Sequence, residues 1–184
     1  GLLGMGTVGR GVYRVLTKNA DAISSRIGAK IEIKKILVRD VTKDRGLELE
    51  KNILTTNIDD IINDPEIEIV VEVLGGIHPA LEYALNALNK GKSVVTANKD
   101  MIAAHGKELY QAAEENNCDL LFEASVAGGI PIIQVMKQSL AANNIEQVFG
   151  IINGTTNYML TKMTKEGSDF AEVLKEAEAK GYAE

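Results

Sequence analysis

Short runs dense in Val and Ile recur along this chain, each followed by a stretch whose apolar residues repeat at helical spacing. That alternation suits parallel strands covered on both faces, because a parallel strand needs a crossover to bring the chain back to the same end of the sheet. The pattern predicts strands near residues 1–3, 31–38, 53–55, 67–73, 93–97 and 119–122, with helices near 7–26, 44–51, 58–63, 79–90 and 100–116. In one of these helices Ala80, Leu81, Ala84, Leu85 and Leu88 mark a single buried face. After Phe122 the texture changes, and "EASVAGGIP" is rich in small residues. We therefore expect a doubly wound, mostly parallel α/β domain over residues 1–124 and an incomplete α+β domain over 125–184. The second part carries the pattern of a helix near 131–142, a strand near 145–152 and helices near 156–165 and 169–180.

Composition excludes several functions. No apolar run approaches the roughly 20 residues that span a bilayer, so a membrane role is not expected. The formal net charge of −6 argues against broad neutralisation of nucleic-acid phosphates. Cys118 is the sole cysteine, which rules out an internal disulfide, and the start lacks the pattern of a secretory signal. A cytoplasmic setting fits. The chain opens on Gly1 and stops at Glu184 directly after an amphipathic segment, and it reads as a piece excised from something longer.

The opening "GLLGMGTVGRG" places Gly4, Gly6 and Gly9 as G-x-G-x-x-G between a strand end and a helix start. In a Rossmann-type sheet the first glycine makes the tight turn, the second admits a pyrophosphate and the third lets helix and strand pack closely. The alternative is a purely structural turn. At the end of the second strand an acid binds the adenosine ribose, whereas a cation accommodates the extra phosphate of NADP. Here "KKILVRDVTKDR" offers Arg39, Asp40, Lys43 and Arg45, so both cofactors stay open, with Arg39 and Lys43 favouring NADP.

Three later stretches carry chemistry. "IVVEVLGG" brings Gly75 and Gly76 to a strand end, where backbone can approach a ligand or simply turn. "SVVTANKD" runs a strand into Thr96, Asn98 and Lys99 at the same carboxyl edge, which is where open parallel sheets bind ligands. A lysine there can donate a proton or polarise a carbonyl, which makes Lys99 the catalytic candidate; the alternative is a surface lysine at a helix start. "GIINGTTNYML" offers Asn153, Gly154 and Thr155 either as helix initiation or as a carboxylate-binding segment. His78 and His105 lack partners at metal-ligand spacing, and neither a G-x-S-x-G elbow nor a G-K-[ST] phosphate loop is present.

Taken together, "GLLGMGTVG", "VEVLGG", "TANKD", "FEASVAGGIPII", "GIINGTTNYML" and "EAEAKGYAE" resemble homoserine dehydrogenase from end to end and in order. The resemblance implies nicotinamide-dependent interconversion of homoserine and aspartate 4-semialdehyde, on the route to threonine, methionine and isoleucine. It places Gly4, Thr7, Val8, Gly75, Gly76 and Lys99 about the cofactor; with Gly6, Gly9, Arg39, Lys43, Thr96 and Asn98 from the residue pattern, these make up the expected site for NADP or NAD. It also implies a catalytic Lys99, as direct acid or as charge stabiliser, and substrate contacts from Gly154, Thr155 and Glu184. Backbone carbonyls of Glu123, Val126, Gly128 and Ile130 are implied to bind a monovalent cation such as Na+. The substrate is a small molecule, and the family implies a homodimer or higher homo-oligomer. The family's pattern continues beyond the position of Glu184 to an acid and a second lysine, so the 184 residues alone are expected to bind cofactor yet to oxidise little homoserine, and to expose an apolar face near 145–152. The rival reading is a non-catalytic dinucleotide-binding or regulatory module.

Overall fold

Six short parallel strands form one sheet in the order β3-β2-β1-β4-β5-β6. They are β1 (Leu2–Leu3), β2 (Ile36–Leu37), β3 (Leu54–Thr55), β4 (Ile69–Glu72), β5 (Ser93–Thr96) and β6 (Leu120–Leu121). This computed structural model describes residues 1–151 and 153–182, and it separates into two units, 1–133 and 134–184. The sheet and its helices make up the first unit. Those helices are α1 (Thr7–Lys18), α2 (Ala20–Ile27), α3 (Asp59–Ile62), α4 (Ala80–Asn89) and α5 (Lys99–Glu115).

Both faces of the sheet are covered, which explains why the strands read as continuous apolar runs. Leu2 and Ile36 pack with Met5, Val38 and Ile53, joined by Val12 and Tyr13 of α1. Their neighbours Leu3 and Leu37 turn the other way, into a larger core with Leu81, Ala84 and Leu88 of α4 and Met101 and Leu109 of α5. Fully burying one such Leu is worth about 1.5–3 kcal/mol, so this double layer fixes the register of strands only two to four residues long. The chain starts its sheet at β1, fills one side through β2 and β3, then crosses to β4 on the other side. That reversal opens a crevice between the carboxyl ends of β1 and β4.

Several expectations need correction. The helix expected over 7–26 is two helices, because Asn19 (φ −107°, ψ 18°) leaves helical geometry between them. No helix forms over 44–51: the Asp44 side chain accepts the Gly46 N–H at 2.8 Å, and Gly46 sits at φ 62°, a left-handed turn that a helix does not pass through. The strand expected over 31–38 is paired only at Ile36–Leu37, since β1 and β3 beside it contribute two residues each. The other strands and helices of this unit stand where the pattern put them, within a few residues at their ends.

The second unit contains a π-helical turn (Val135–Ser139), α6 (Gly154–Glu166) and α7 (Phe170–Ala179). The helix expected over 131–142 is thus reduced to little more than this turn, closed by the Leu140 N–H on the Val135 carbonyl at 2.9 Å. The strand expected over 145–152 does not form over 145–151, where no described strand lies alongside to pair with it; Ile152 lies outside the described residues. Helices α6 and α7 are started by Asn153 and Asp169, whose side chains accept the Thr156 and Ala171 N–H groups at 2.8 Å each. Met159, Val173 and Ala177 form the small core between them.

Candidate active site

The glycine turn after β1 sits at the crevice. Gly4 adopts φ 103°, and a Cβ there would meet the Val73 carbonyl at 2.9 Å, so the turns after β1 and β4 touch. A Cβ on Gly9 would lie 2.2 Å from the Gly4 carbonyl oxygen, which makes the close packing of α1 on β1 depend on glycine. Gly6, at the N-cap of α1, faces open space and supplies no side chain to the helix's unpaired N–H groups. Thr7 and Val8 follow it, both exposed. This cradle fits a pyrophosphate, which needs close backbone approach and free N–H donors at a helix start.

The Gly4 N–H donates to the Leu37 carbonyl at 3.0 Å, bringing the end of β2 beside the turn. Arg39 and Lys43 lie just beyond, exposed, and their side chains meet no partner among the described residues. Arg45 differs: its guanidinium donates to the Lys43 and Asp40 carbonyls, at 2.6 Å each, and so shapes the loop. The Asp40 carboxyl is held below its ordinary range, first by the Thr42 hydroxyl and then by the Thr42 N–H.

The ends of β4 and β5 are joined by a chain of hydrogen bonds. The Asn98 N–H donates to Thr96 Oγ1 at 3.0 Å, and the Thr96 hydroxyl donates to Glu72 Oε2 at 2.6 Å. The other Glu72 oxygen accepts the Leu74 N–H at 2.7 Å. Asn98 uses both ends of its amide, donating Nδ2–H to the Gly76 carbonyl at 2.6 Å and accepting the Met101 N–H at 3.1 Å to cap α5. Gly75 and Gly76, at φ 79° and 70°, make the intervening turn. Lys99 is the first residue of α5, exposed at this same carboxyl edge. Glu72, fully buried, was not singled out from the sequence; its signal was an acid inside an otherwise apolar strand.

The stretch expected to bind a cation forms a 3-10 turn (Glu123–Ser125) followed by a left-handed turn at Ala127 and Gly128. The Glu123 carbonyl accepts the Val126 N–H at 3.1 Å, while its side chain accepts the Ile132 and Ile133 N–H groups at 2.6 and 2.9 Å. In the second unit Gly154 opens α6, and the Thr155 hydroxyl donates to the Tyr182 carbonyl. Glu184 lies outside the described residues. A polar cluster unforeseen in the sequence joins α6 to α7: Glu176 accepts from Lys162, from Lys180 at 2.6 Å and from the Tyr158 hydroxyl at 2.6 Å. These donors, Lys162 foremost, hold the Glu176 carboxyl down to about 2.

A parallel sheet in this strand order, with a glycine turn at its switch point, defines a doubly wound dinucleotide-binding protein of the Rossmann type. The chain belongs to the homoserine dehydrogenase family. Residues 4–123 match the family model described as homoserine dehydrogenase, NAD binding domain, and residues 131–184 match the one described as homoserine dehydrogenase. Homoserine dehydrogenase of Bacillus subtilis is 49% identical over 184 residues, covering 100% of this chain and 42% of the relative. The crystal structure of a homoserine dehydrogenase from Thiobacillus denitrificans superposes with a TM-score of 0.88 at 48% identity, covering 100% of this chain and 42% of that one. A hyperthermophilic archaeal homoserine dehydrogenase in complex with NADPH gives 0.77 at 28% identity, covering 98% of this chain and 60% of that one. The chain thus spans about two fifths of the length of the curated relatives it matches.

Proposed function

We propose that the enzyme to which this chain contributes interconverts L-homoserine and L-aspartate 4-semialdehyde, with residues 1–124 as its nucleotide domain and 125–184 as part of its substrate and dimerisation domain. The observation that carries this reading is the meeting of the glycine turn, the Gly75–Gly76 turn and the Lys99 helix start at one sheet edge in a chain of this family. A non-catalytic module is not favoured, since the matched relatives are named as dehydrogenases.

The backbone at Gly4, Gly6, Thr7, Val8 and Gly9 holds the cofactor's pyrophosphate, and Arg39 and Lys43 receive the extra phosphate of NADP. Support comes from their free, exposed side chains and from the NADPH complex of the archaeal relative. When bound, a reduced nicotinamide supplies the hydride that converts an aldehyde to an alcohol. Gly75 and Gly76 would line the nicotinamide side of the site, with Thr96 and Asn98 holding that turn and the α5 start from behind. Lys99 places its ammonium at the substrate's carbonyl oxygen, where it stabilises the negative charge that develops and supplies the proton that completes the alcohol; the reverse direction returns the proton to the amine. Gly154, Thr155 and Glu184 contact the amino-acid end of the substrate.

A monovalent cation would be held by backbone carbonyls. Its proposed seat at the Glu123, Val126, Gly128 and Ile130 carbonyls is tested by comparing turnover in sodium, potassium and choline chloride. The enzyme works as a homodimer or higher homo-oligomer, a reading that rests on the resemblance to its family. No helix among the described residues is long and apolar enough to cross a membrane, and a cytoplasmic site of action accords with the chain's single cysteine. The deciding experiment is homoserine oxidation by a full-length enzyme carrying this sequence, with NADP and NAD in turn. Absence of turnover with both cofactors overturns the proposal.

A further inference from the structure

We infer that Glu72 is a positioning residue of this site: its buried carboxyl group sets the relative placement of the Gly75–Gly76 turn and of Lys99. The inference rests on the dehydrogenase reading above. Glu72 ends β4 with no exposed surface, and among the described residues no cation lies against it. A buried acid without a counter-ion is costly, and an apolar residue would serve the core at lower cost. What an apolar residue would not do is accept hydrogen bonds from both the turn after β4 and the end of β5.

The direction of each bond follows from chemistry. A backbone N–H can only donate, so Leu74 donates to Glu72 and Asn98 donates to Thr96. The Thr96 oxygen, already accepting, passes its own hydrogen to Glu72. Glu72 is therefore the common acceptor of the turn that leads to Gly75 and of the junction that leads to Lys99. Asn98 closes the loop, because the amide that caps α5 also donates to the Gly76 carbonyl. Polar groups that are each satisfied by a single partner orientation rigidify a site. Here they determine where the first residue of α5 stands relative to the cofactor-side turn.

The test is Glu72→Gln in the full-length enzyme. The amide fills the same space but accepts only through its oxygen: with that oxygen kept on the Leu74 N–H, its amino group faces Thr96 Oγ1, turns that bond round and leaves the Thr96 hydroxyl hydrogen without an acceptor. We expect kcat to fall ~10- to 100-fold, as a misplaced reacting group does, with the NADPH dissociation constant rising by a smaller factor than kcat falls. Thr96→Val should lower kcat in the same way, and the double variant should lose no more than the worse single one. A folded Glu72→Gln enzyme with wild-type kcat, or losses that multiply in the double variant, overturns the inference while leaving the dehydrogenase reading intact. Should Glu72→Gln fail to fold, Thr96→Ser must exceed Thr96→Val in kcat by at least about tenfold, since only the former keeps the hydroxyl; failure to do so is equally fatal. A wild-type enzyme without homoserine turnover overturns the reading and the inference together.

Discussion

The two units hold their polar residues in opposite ways. At the carboxyl edge of the sheet, Glu72, Thr96 and Asn98 are buried and each bond has one direction, so the turn and helix start they join have one arrangement. In the second unit, Glu176 gathers Lys162, Lys180 and Tyr158 at the surface, where water competes for each contact, above a core of only Met159, Val173 and Ala177. Buried, neutral-to-acid bonds set geometry, whereas exposed ion pairs contribute little to stability and rearrange readily. The contrast is that of a rigid dinucleotide-binding platform and a helix pair with little buried core of its own.

Four experiments test this contrast. The largest effect is expected for Lys99→Ala in the full-length enzyme, where turnover should fall ~10²- to 10⁴-fold while NADPH binding stays near wild type, since the amine is assigned to chemistry rather than to phosphate. Steady-state kinetics beside a fluorescence titration separates the two quantities, and unchanged turnover removes Lys99 from the mechanism.

Next comes Gly9→Ala, which drives a methyl group into the Gly4 carbonyl oxygen, 2.2 Å away. We expect a stability loss of about 1–3 kcal/mol in urea unfolding, because backbone meets backbone and neither can swing aside. Gly6→Ala, with nothing within 4 Å of its Cβ, should spare stability and weaken cofactor binding instead. Equal unfolding midpoints for the two variants would show that the first unit is less rigid than its packing implies.

A smaller change is expected for Arg39→Ala: a loss of ~10-fold in NADPH affinity with NADH affinity unaltered, the loss of one charge-assisted bond to phosphate. Parallel titrations at one salt concentration check it. A clear NADH preference in the wild type, surviving the substitution, rejects Arg39 as the reader.

The smallest effect belongs to the second unit and depends on pH. Glu176 is held at about 2 against an ordinary 4.5, so its contribution to the α6–α7 pair is complete above about 4.5 and is lost as pH falls toward 2. Protection of the α6 and α7 amides from hydrogen exchange, taken relative to the intrinsic rate at each pH, should therefore fall across that window in the wild type and show a weaker acid response in Glu176→Gln. An identical acid response in both proteins shows that the exposed cluster contributes nothing there.

The residue pattern alone determined the alternation of strands and helices, the glycine turn, the strand end at Gly75 and Gly76, and the lysine that follows "TAN", because each depends on neighbours close in sequence. Periodicity reports burial, and glycine reports backbone freedom, whatever the rest of the chain does. Local reading failed where a side chain competed with the backbone, as at Asp44, where the backbone left helical geometry, as at Asn19, and where a strand required a partner, as over 145–151. It also passed over Glu72 and Glu176. A carboxyl group's role depends on which donors face it, and those donors lie 24 residues away at Thr96, and 18 and 14 away at Tyr158 and Lys162. Only the folded chain brings such groups within hydrogen-bond reach, and that reach of about 3 Å separates a solvated acid from one that orients a site.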